Sequence, residues 1–177
     1  MNKLLEIKDE IKTVLSGSTI DAILPPILFV IINNLLGITA AIIFALILSL
    51  ILGIKRIINK ESWKYAFGGF LIVSLAAGLA LITKNASNYF IGAAIGSGVF
   101  FILALISLFI GKPMAAYASH ISRGWPLDWF WRKDIKPAYR EVTFFWGIFF
   151  LMRFIIQITL IRKANPDQLV WANTLLG

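Results

Sequence analysis

The sequence predicts an all-α protein, a polytopic bundle of transmembrane helices. Three observations predict it. Hydrophobic residues make up 59% of the 177 and charged residues only 15%, where a soluble domain carries about 45–50% and about 25%. Five apolar runs approach the roughly 20 residues that cross about 30 Å of hydrocarbon. The cations between the runs alternate between crowded joints and nearly empty ones. A mean hydropathy of +0.83 agrees. Disorder, a coiled coil and an ordinary soluble enzyme are excluded as readings of the whole chain. With no cysteine there is no disulfide, thiolate metal site or cysteine nucleophile.

Residues 1–17 read as an amphipathic segment. Leu4, Ile7, Ile11 and Val14 fall at helical spacing, and Lys3, Lys8 and Lys12 balance Glu6, Asp9 and Glu10. No small-residue cleavage site marks it as a signal, so the segment is expected to be retained. Residues 18–177 are expected to form a single transmembrane domain. Its runs are Ile20–Leu36, Ile38–Ile54, Tyr65–Ile82, Tyr89–Ile110 and Thr143–Ile161. Backbone groups in lipid must bond internally, so each run is expected to be a helix. Ser18-Thr19-Ile20-Asp21 reads as a capping box that opens the first. Pro25-Pro26 is expected to kink or break it. Gly37 permits the abrupt turn into the second helix. Lys112-Pro113 closes the fourth, and Pro137 precedes the fifth, where a helix start tolerates it.

Lysine and arginine collect on the cytoplasmic side of membranes. The N-terminal segment has three, the first joint none, and the second has Lys55, Arg56, Lys60 and Lys64. The third has Lys84 alone, and the fourth has Lys112, Arg123, Arg132, Lys133, Lys136 and Arg140. Arg162 and Lys163 follow the fifth run. The alternation implies a cytoplasmic N-terminus and accounts for most of the net charge of +8, leaving nucleic-acid binding as the weaker reading. The segment Trp171–Gly177 resembles the entrance to a further apolar helix, and a sixth span is expected beyond it.

Helices in lipid associate through close packing and polar contacts. Ala41, Ala45, Ser49 and Gly53 recur every four residues on the second run, Gly92 and Gly96 form a GxxxG on the fourth, and Gly69, Ala76 and Ala80 share one side of the third. A tight bundle within one chain explains these faces more simply than a dimer.

Arg153 carries the sharpest candidate chemistry. It lies near the middle of the fifth run, with Trp146 and Gln157 on the same helical side. A charge at mid-membrane costs roughly 2.5–3.5 kcal/mol on insertion scales, so it is expected to face a partner or a wet cavity. Two readings stay open: contact with an anion or lipid phosphate, which guanidinium binds bidentately, or an internal ion pair, with Asp21 as the available carboxylate. Asn33 and Asn34, at the end of the first run, either line a polar mouth or satisfy backbone groups near the outer surface.

Residues 114–142 form the longest polar stretch and mix Trp125, Trp129, Phe130, Trp131 and Tyr139 with cations. Rings and cations together suit the headgroup zone. Lys112, Trp125, Trp129, Trp131, Arg132, Lys133, Lys136 and Arg140 are therefore candidate contacts for anionic lipid. His120, the single histidine, suffices neither for both axial ligands of a haem nor for a multi-histidine metal site. No Walker loop, HExxH or GxSxG is present, and no cofactor or catalytic residue is expected. Asn85-Ala86-Ser87 matches a glycosylation sequon.

Ile23-Leu24-Pro25-Pro26 opening a hairpin, a basic joint, an apolar pair, Lys112-Pro113, and a late Trp171-x-Asn173…Gly177 together resemble the intracellular septation protein A family. They resemble still more closely a related bacterial membrane family known only as a domain of unknown function. The resemblance runs from about Ile20 to the end and implies five or six spans in the inner membrane. It also implies a role in envelope synthesis or division without an agreed activity. Arg153 and the long aromatic stretch depart from that pattern. The resulting expectation is a non-enzymatic scaffold or accessory subunit of envelope assembly, in contact with anionic lipids and other membrane proteins. The alternative is a transporter or lipid-handling protein that holds an anionic group at Arg153.

Overall fold

The structure, a computed structural model, describes residues 18–60 and 63–176, with the backbone alone at 18–22 and 65. The amphipathic segment 1–17 and the capping side chains at 18–21 lie outside the described residues. No strand occurs among those described. The helices are α1 (Ser18–Leu36), α2 (Ile38–Ile58), α3 (Trp63–Thr83), a 3-10 turn (Ala86–Phe90), α4 (Ile91–Phe109), α5 (Met114–Arg123), α6 (Leu127–Phe130), α7 (Lys136–Arg162) and α8 (Pro166–Leu175). Among the described residues four stretches are long and apolar enough to cross a membrane: Ile38–Ile58, Ala66–Thr83, Ala86–Phe109 and Lys136–Arg162. The apolar part of α1, Ile23–Leu36, is shorter, about 21 Å at 1.5 Å per residue. An all-α membrane bundle is what the composition demands and what forms.

Two compact units make up the chain. One comprises the described residues up to Phe90 together with those from Lys163 onward; the other is Ile91–Arg162.

In the first unit α1 packs on α2, α2 on α3, and α3 on the 3-10 turn. One residue joins α1 to α2. Gly37 takes φ +84°, a conformation open to glycine and strained for a side chain, while its N–H still bonds the Asn33 carbonyl at 3.0 Å. Pro25 and Pro26 do not break α1, which stays helical through both. Ala41, Ala45 and Ser49 of α2 are buried, and the Cα of Gly53 faces the Ala66 backbone of α3. On α3 the buried small residues are Ala66, Ala77 and Ala80, whereas Gly69 is exposed and Ala76 only half-buried. Phe29 is fully buried, its ring stacked on Tyr89 at 4.2 Å.

In the second unit α4 and α7 form the main contact, with α5 packed across both. Going up α4, Ser97, Gly98, Phe100 and Ala104 meet Gln157, Phe154, Phe150 and Gly147 in turn. Rising numbers on one helix meet falling numbers on the other, so the pair is antiparallel. Within this unit a Cβ on Gly92 or Gly96 would meet nothing within 4 Å. The close glycines are Gly98, where an added Cβ would lie 3.2 Å from the Phe154 ring, and Gly147, 3.6 Å from the Ala104 methyl.

The stretch 114–142 is mostly helical. Ala115 and Ala116 are buried and Arg123 exposed, so α5 is amphipathic, and Gly124 at φ +70° ends it. The first turns of α7 take up 136–142, with Pro137 second in the helix.

Candidate functional site

An α-helix leaves its first four N–H groups without partners of its own. At the start of α5 neighbouring helices supply partners for two of them. Met114 N–H donates to Ser107 Oγ of α4 at 3.0 Å, and Ala115 N–H to Thr143 Oγ1 of α7 at 3.1 Å. Thr143 is fully buried and donates its own proton to the Tyr139 carbonyl at 2.7 Å. Two hydroxyls thereby pin the amphipathic helix across the α4–α7 pair.

Deeper in the same seam Gln157, 1% exposed, lies with Oε1 2.8 Å from Ser97 Oγ. The Ala93 carbonyl is 3.0 Å from the same oxygen. The serine has one proton, so it serves one acceptor at a time. Successive residues of a helix turn by about 100°, which puts Thr143, Gly147, Phe150, Phe154 and Gln157 in one stripe toward α4. Arg153 falls at its margin, about 40° from Gln157. It is half-buried, with Nε enclosed. Trp146, at the same margin, is 38% exposed. Asp21 belongs to the other unit and its side chain lies outside the described residues. Ser97, Gly98, Thr143 and Ser107 were not singled out from sequence. Their only signal is that they are small or hydroxylic within apolar helices.

Two clefts of the second unit hold cations expected to meet lipid headgroups. One, of about 300 Å3, has walls from Leu103, Ile106 and Met114 and carries Lys112 and Tyr117. The other, an open groove of about 610 Å3, runs over Leu108, Phe144 and Phe145 beside Arg140 and Glu141. Lys133 is exposed and Lys136 half-buried, with Nζ close to Gly111. Arg132 is already engaged: its Nε and Nη2 donate to the two Asp134 oxygens at 3.1 and 2.8 Å. That donor pair holds the Asp134 carboxyl below its usual range. The tryptophans are interlocked. Trp125 meets Trp129 edge-on at 4.6 Å, Trp131 meets Tyr117 at 5.6 Å, and Arg123 sits 5.4 Å above Trp125. His120 Nδ1 contacts the Trp125 carbonyl. A carbonyl only accepts, so this nitrogen carries the proton, and His120 closes the α5–α6 turn.

In the first unit three segments from weakly charged joints come together. Asn34 Nδ2, at the end of α1, donates to Asp167 Oδ1 of α8 at 2.6 Å. Phe29 stacks on Tyr89, and α8 packs on the 3-10 turn with Leu169 fully buried. Asn33 is spent on its neighbour Asn34 at 3.4 Å. At the sequon Asn85 Oδ1 accepts from Ser87 N–H at 3.0 Å and Ser87 is fully buried, so the motif serves a local turn. Trp171–Leu175 forms the end of α8, a 10-residue helix opened by the Asn165 cap, whose Oδ1 accepts from Gln168 N–H.

No group of three His, Cys, Asp or Glu residues able to hold a metal occurs among the described residues. Long apolar helices with their polar groups turned into interhelical seams define an α-helical, multi-spanning membrane protein. The chain belongs to the family described as "Protein of unknown function (DUF3159)", whose model matches residues 16–177. No curated protein and no solved structure matches it.

Proposed function

We propose that this membrane protein is a non-enzymatic scaffold or accessory subunit of bacterial envelope assembly or division. It resides in the plasma membrane with its N-terminus in the cytoplasm. One observation carries this reading. Only 11–22% of each spanning segment is buried, so the helices present far more apolar flank than they use among themselves. On α7 that flank is dense with rings: Phe144, Phe145, Ile148, Phe149, Met152 and Ile155 all stand exposed. Aromatic side chains supply much contact area for little conformational entropy, which suits a partner helix as well as lipid. The resemblance to the septation family supports the envelope role. The meeting of Asn34, Tyr89 and Asp167 in one unit supports the alternation of joints from which the orientation is read.

The test is deletion of the gene in its native host, with complementation. The expected result is an envelope or division defect that the wild type restores. The variant Phe145→Ser/Phe149→Ser should insert and accumulate normally yet fail to restore it. Normal envelope growth without the gene overturns the reading. A second reading is favoured by one feature, the enclosed Nε of Arg153, one helical turn before Gln157 on α7. Under it, the guanidinium holds an anionic group within the membrane. Arg153-dependent anion or lipid flux in proteoliposomes would select this reading.

A further inference from the structure

The second unit contains a cleft of about 300 Å3 between the end of α4 and the start of α5. The local sequence builds it. Gly111, at φ +71°, turns the chain out of α4. Ser107 Oγ then accepts the Met114 N–H at 3.0 Å and ties the first turn of α5 to the last turns of α4. Leu103, Ile106 and Ile110 follow one another at three- and four-residue steps, so they share one side of α4. Ile110 keeps the helical bond from its N–H to the Ile106 carbonyl. All three stand exposed. Met114 and Tyr117, three residues apart on α5, supply the other wall. Leu103 lies about 10 Å below Ile110 along the helix axis, so the slot runs from the end of the span into the hydrocarbon.

The two ends of the slot differ in chemistry. Lys112 is the only charged residue in the lining. Neither its ammonium nor the Tyr117 hydroxyl has a hydrogen bond or ion pair among the described residues, and the Tyr117 ring rests edge-on against Trp131. Ser107, the other hydroxyl, is spent on the Ala104 carbonyl and the Met114 N–H. Lys136 adds a second cation at the same turn, its Nζ 3.5 Å from where a Cβ on Gly111 would lie. The carboxylates of this unit are Asp128, Asp134 and Glu141, and none of them lines the cleft. Asp128 belongs to α6, Asp134 is held by Arg132, and Glu141 lines the separate groove beside Arg140. Cations at the headgroup end of an apolar slot match an anionic amphiphile. A zwitterionic lipid brings its own cation against Lys112, and a bare anion makes no use of the apolar walls.

We propose that this cleft holds one anionic phospholipid. Its phosphate sits between the Lys112 ammonium, acting as a point charge, and the Tyr117 hydroxyl, which donates to a phosphate oxygen. One acyl chain runs down Ile110, Ile106 and Leu103 against Met114. Lys136 draws anionic lipid to the turn. Pockets for whole drug-sized ligands run to about 300–1,000 Å3, so this one takes part of the lipid and leaves the rest in the bilayer. The open groove on Leu108 supplies a contrast within the same unit. Arg140 and Glu141 give its lining one charge of each sign, so it selects no anion. The site requires a membrane-embedded chain and is independent of the scaffold role.

The test uses the full chain in nanodiscs of equal phosphatidylglycerol and phosphatidylcholine, with retained lipid counted by native mass spectrometry after transfer to detergent. One phospholipid per chain should be retained, with phosphatidylglycerol favoured about fivefold, the worth of one cation at a membrane surface. Lys112→Gln should bring that ratio close to one, and Lys112→Arg should keep it. Ile106→Trp fills the slot from an exposed position, so circular dichroism should show a folded protein while the lipid is lost. Lys60→Gln removes an equal charge from an exposed residue of the first unit and should leave the ratio unchanged. A wild-type ratio near one, a ratio lowered as much by Lys60→Gln as by Lys112→Gln, or full retention in folded Ile106→Trp overturns the proposal. Displacement by excess inorganic phosphate also overturns it, because it would mark a site for a bare anion.

Discussion

Replacing Ser97 by alanine should damage the α4–α7 pair more than replacing the larger Gln157 by leucine. The reason lies in what each change leaves behind. Gln157 is 1% exposed and 2.8 Å from Ser97 Oγ. Ser97→Ala removes that hydroxyl and leaves an enclosed amide short of its partner across the seam. A buried polar group deprived of its partner costs about 1–3 kcal/mol. Gln157→Leu removes the amide itself, and Ser97 turns to the Ala93 carbonyl already 3.0 Å away. What remains is a near-isosteric packing change, typically under about 1.5 kcal/mol. The double variant should resemble Gln157→Leu alone, so the coupling equals the Ser97→Ala loss, about 1–3 kcal/mol. Reversible unfolding in mixed micelles, followed by tryptophan fluorescence, measures all three variants against wild type. Additive single effects, or a larger loss in Gln157→Leu, would refute this reasoning.

Thr143→Val should cost about 1–3 kcal/mol, because Ala115 N–H loses its acceptor, and amide exchange at Ala115 should speed while Thr143→Ser restores protection. Ser87 Oγ is buried with no hydrogen-bond partner among the described residues, so Ser87→Ala should raise the unfolding midpoint where most buried-site substitutions lower it. Arg132→Gln should raise the Asp134 carboxyl toward its ordinary range, read by carboxyl-carbon NMR titration. The sign follows from the lowered native value. The pair favours the native state above the unfolded-state pKa and is lost as pH falls through the native one. In the variant that dependence should shrink, because of the lowering causes only the Asp134 backbone hydrogen bond remains.

Much of the fold was legible because lipid allows so few solutions. Runs long enough to cross it must be helices, and the five apolar runs lie in helix, except that the first residues of the fourth form the 3-10 turn and its last, Ile110, falls in the turn after α4. The ends were less legible. Ile54 closes the second run, yet α2 continues through Lys55 and Arg56 to Ile58. Cations favour a helix C-terminus, so leaving the hydrocarbon does not end the helix. The fifth helix likewise starts at Lys136, seven residues ahead of its apolar run at Thr143. Polar stretch 114–142 hid α5 because only ten residues carry its pattern.

Side-chain contacts were legible only where one helix sufficed to reveal them. Ala41, Ala45, Ser49 and Gly53 announce a small face, and at its Gly53 end Ala66 of α3 comes close. Gly92 and Gly96 announce one as loudly, but within their unit nothing approaches them. Closeness is a property of two helices, and a motif reports one. Gln157 was visible as an amide in an apolar run. Its partner Ser97 was not, since a serine can satisfy itself on its own helix carbonyl.

The central claim is that the spans thread the membrane so that the basic joints share one side. Because the chain has no cysteine, single cysteines placed at Lys60, Lys84, Lys133 and Lys163 report topology without background. With a membrane-impermeant thiol reagent on intact cells, the account predicts labelling at 84 and 163, and at 60 and 133 only after permeabilisation. Labelling of 60 and 133 from opposite sides would contradict it.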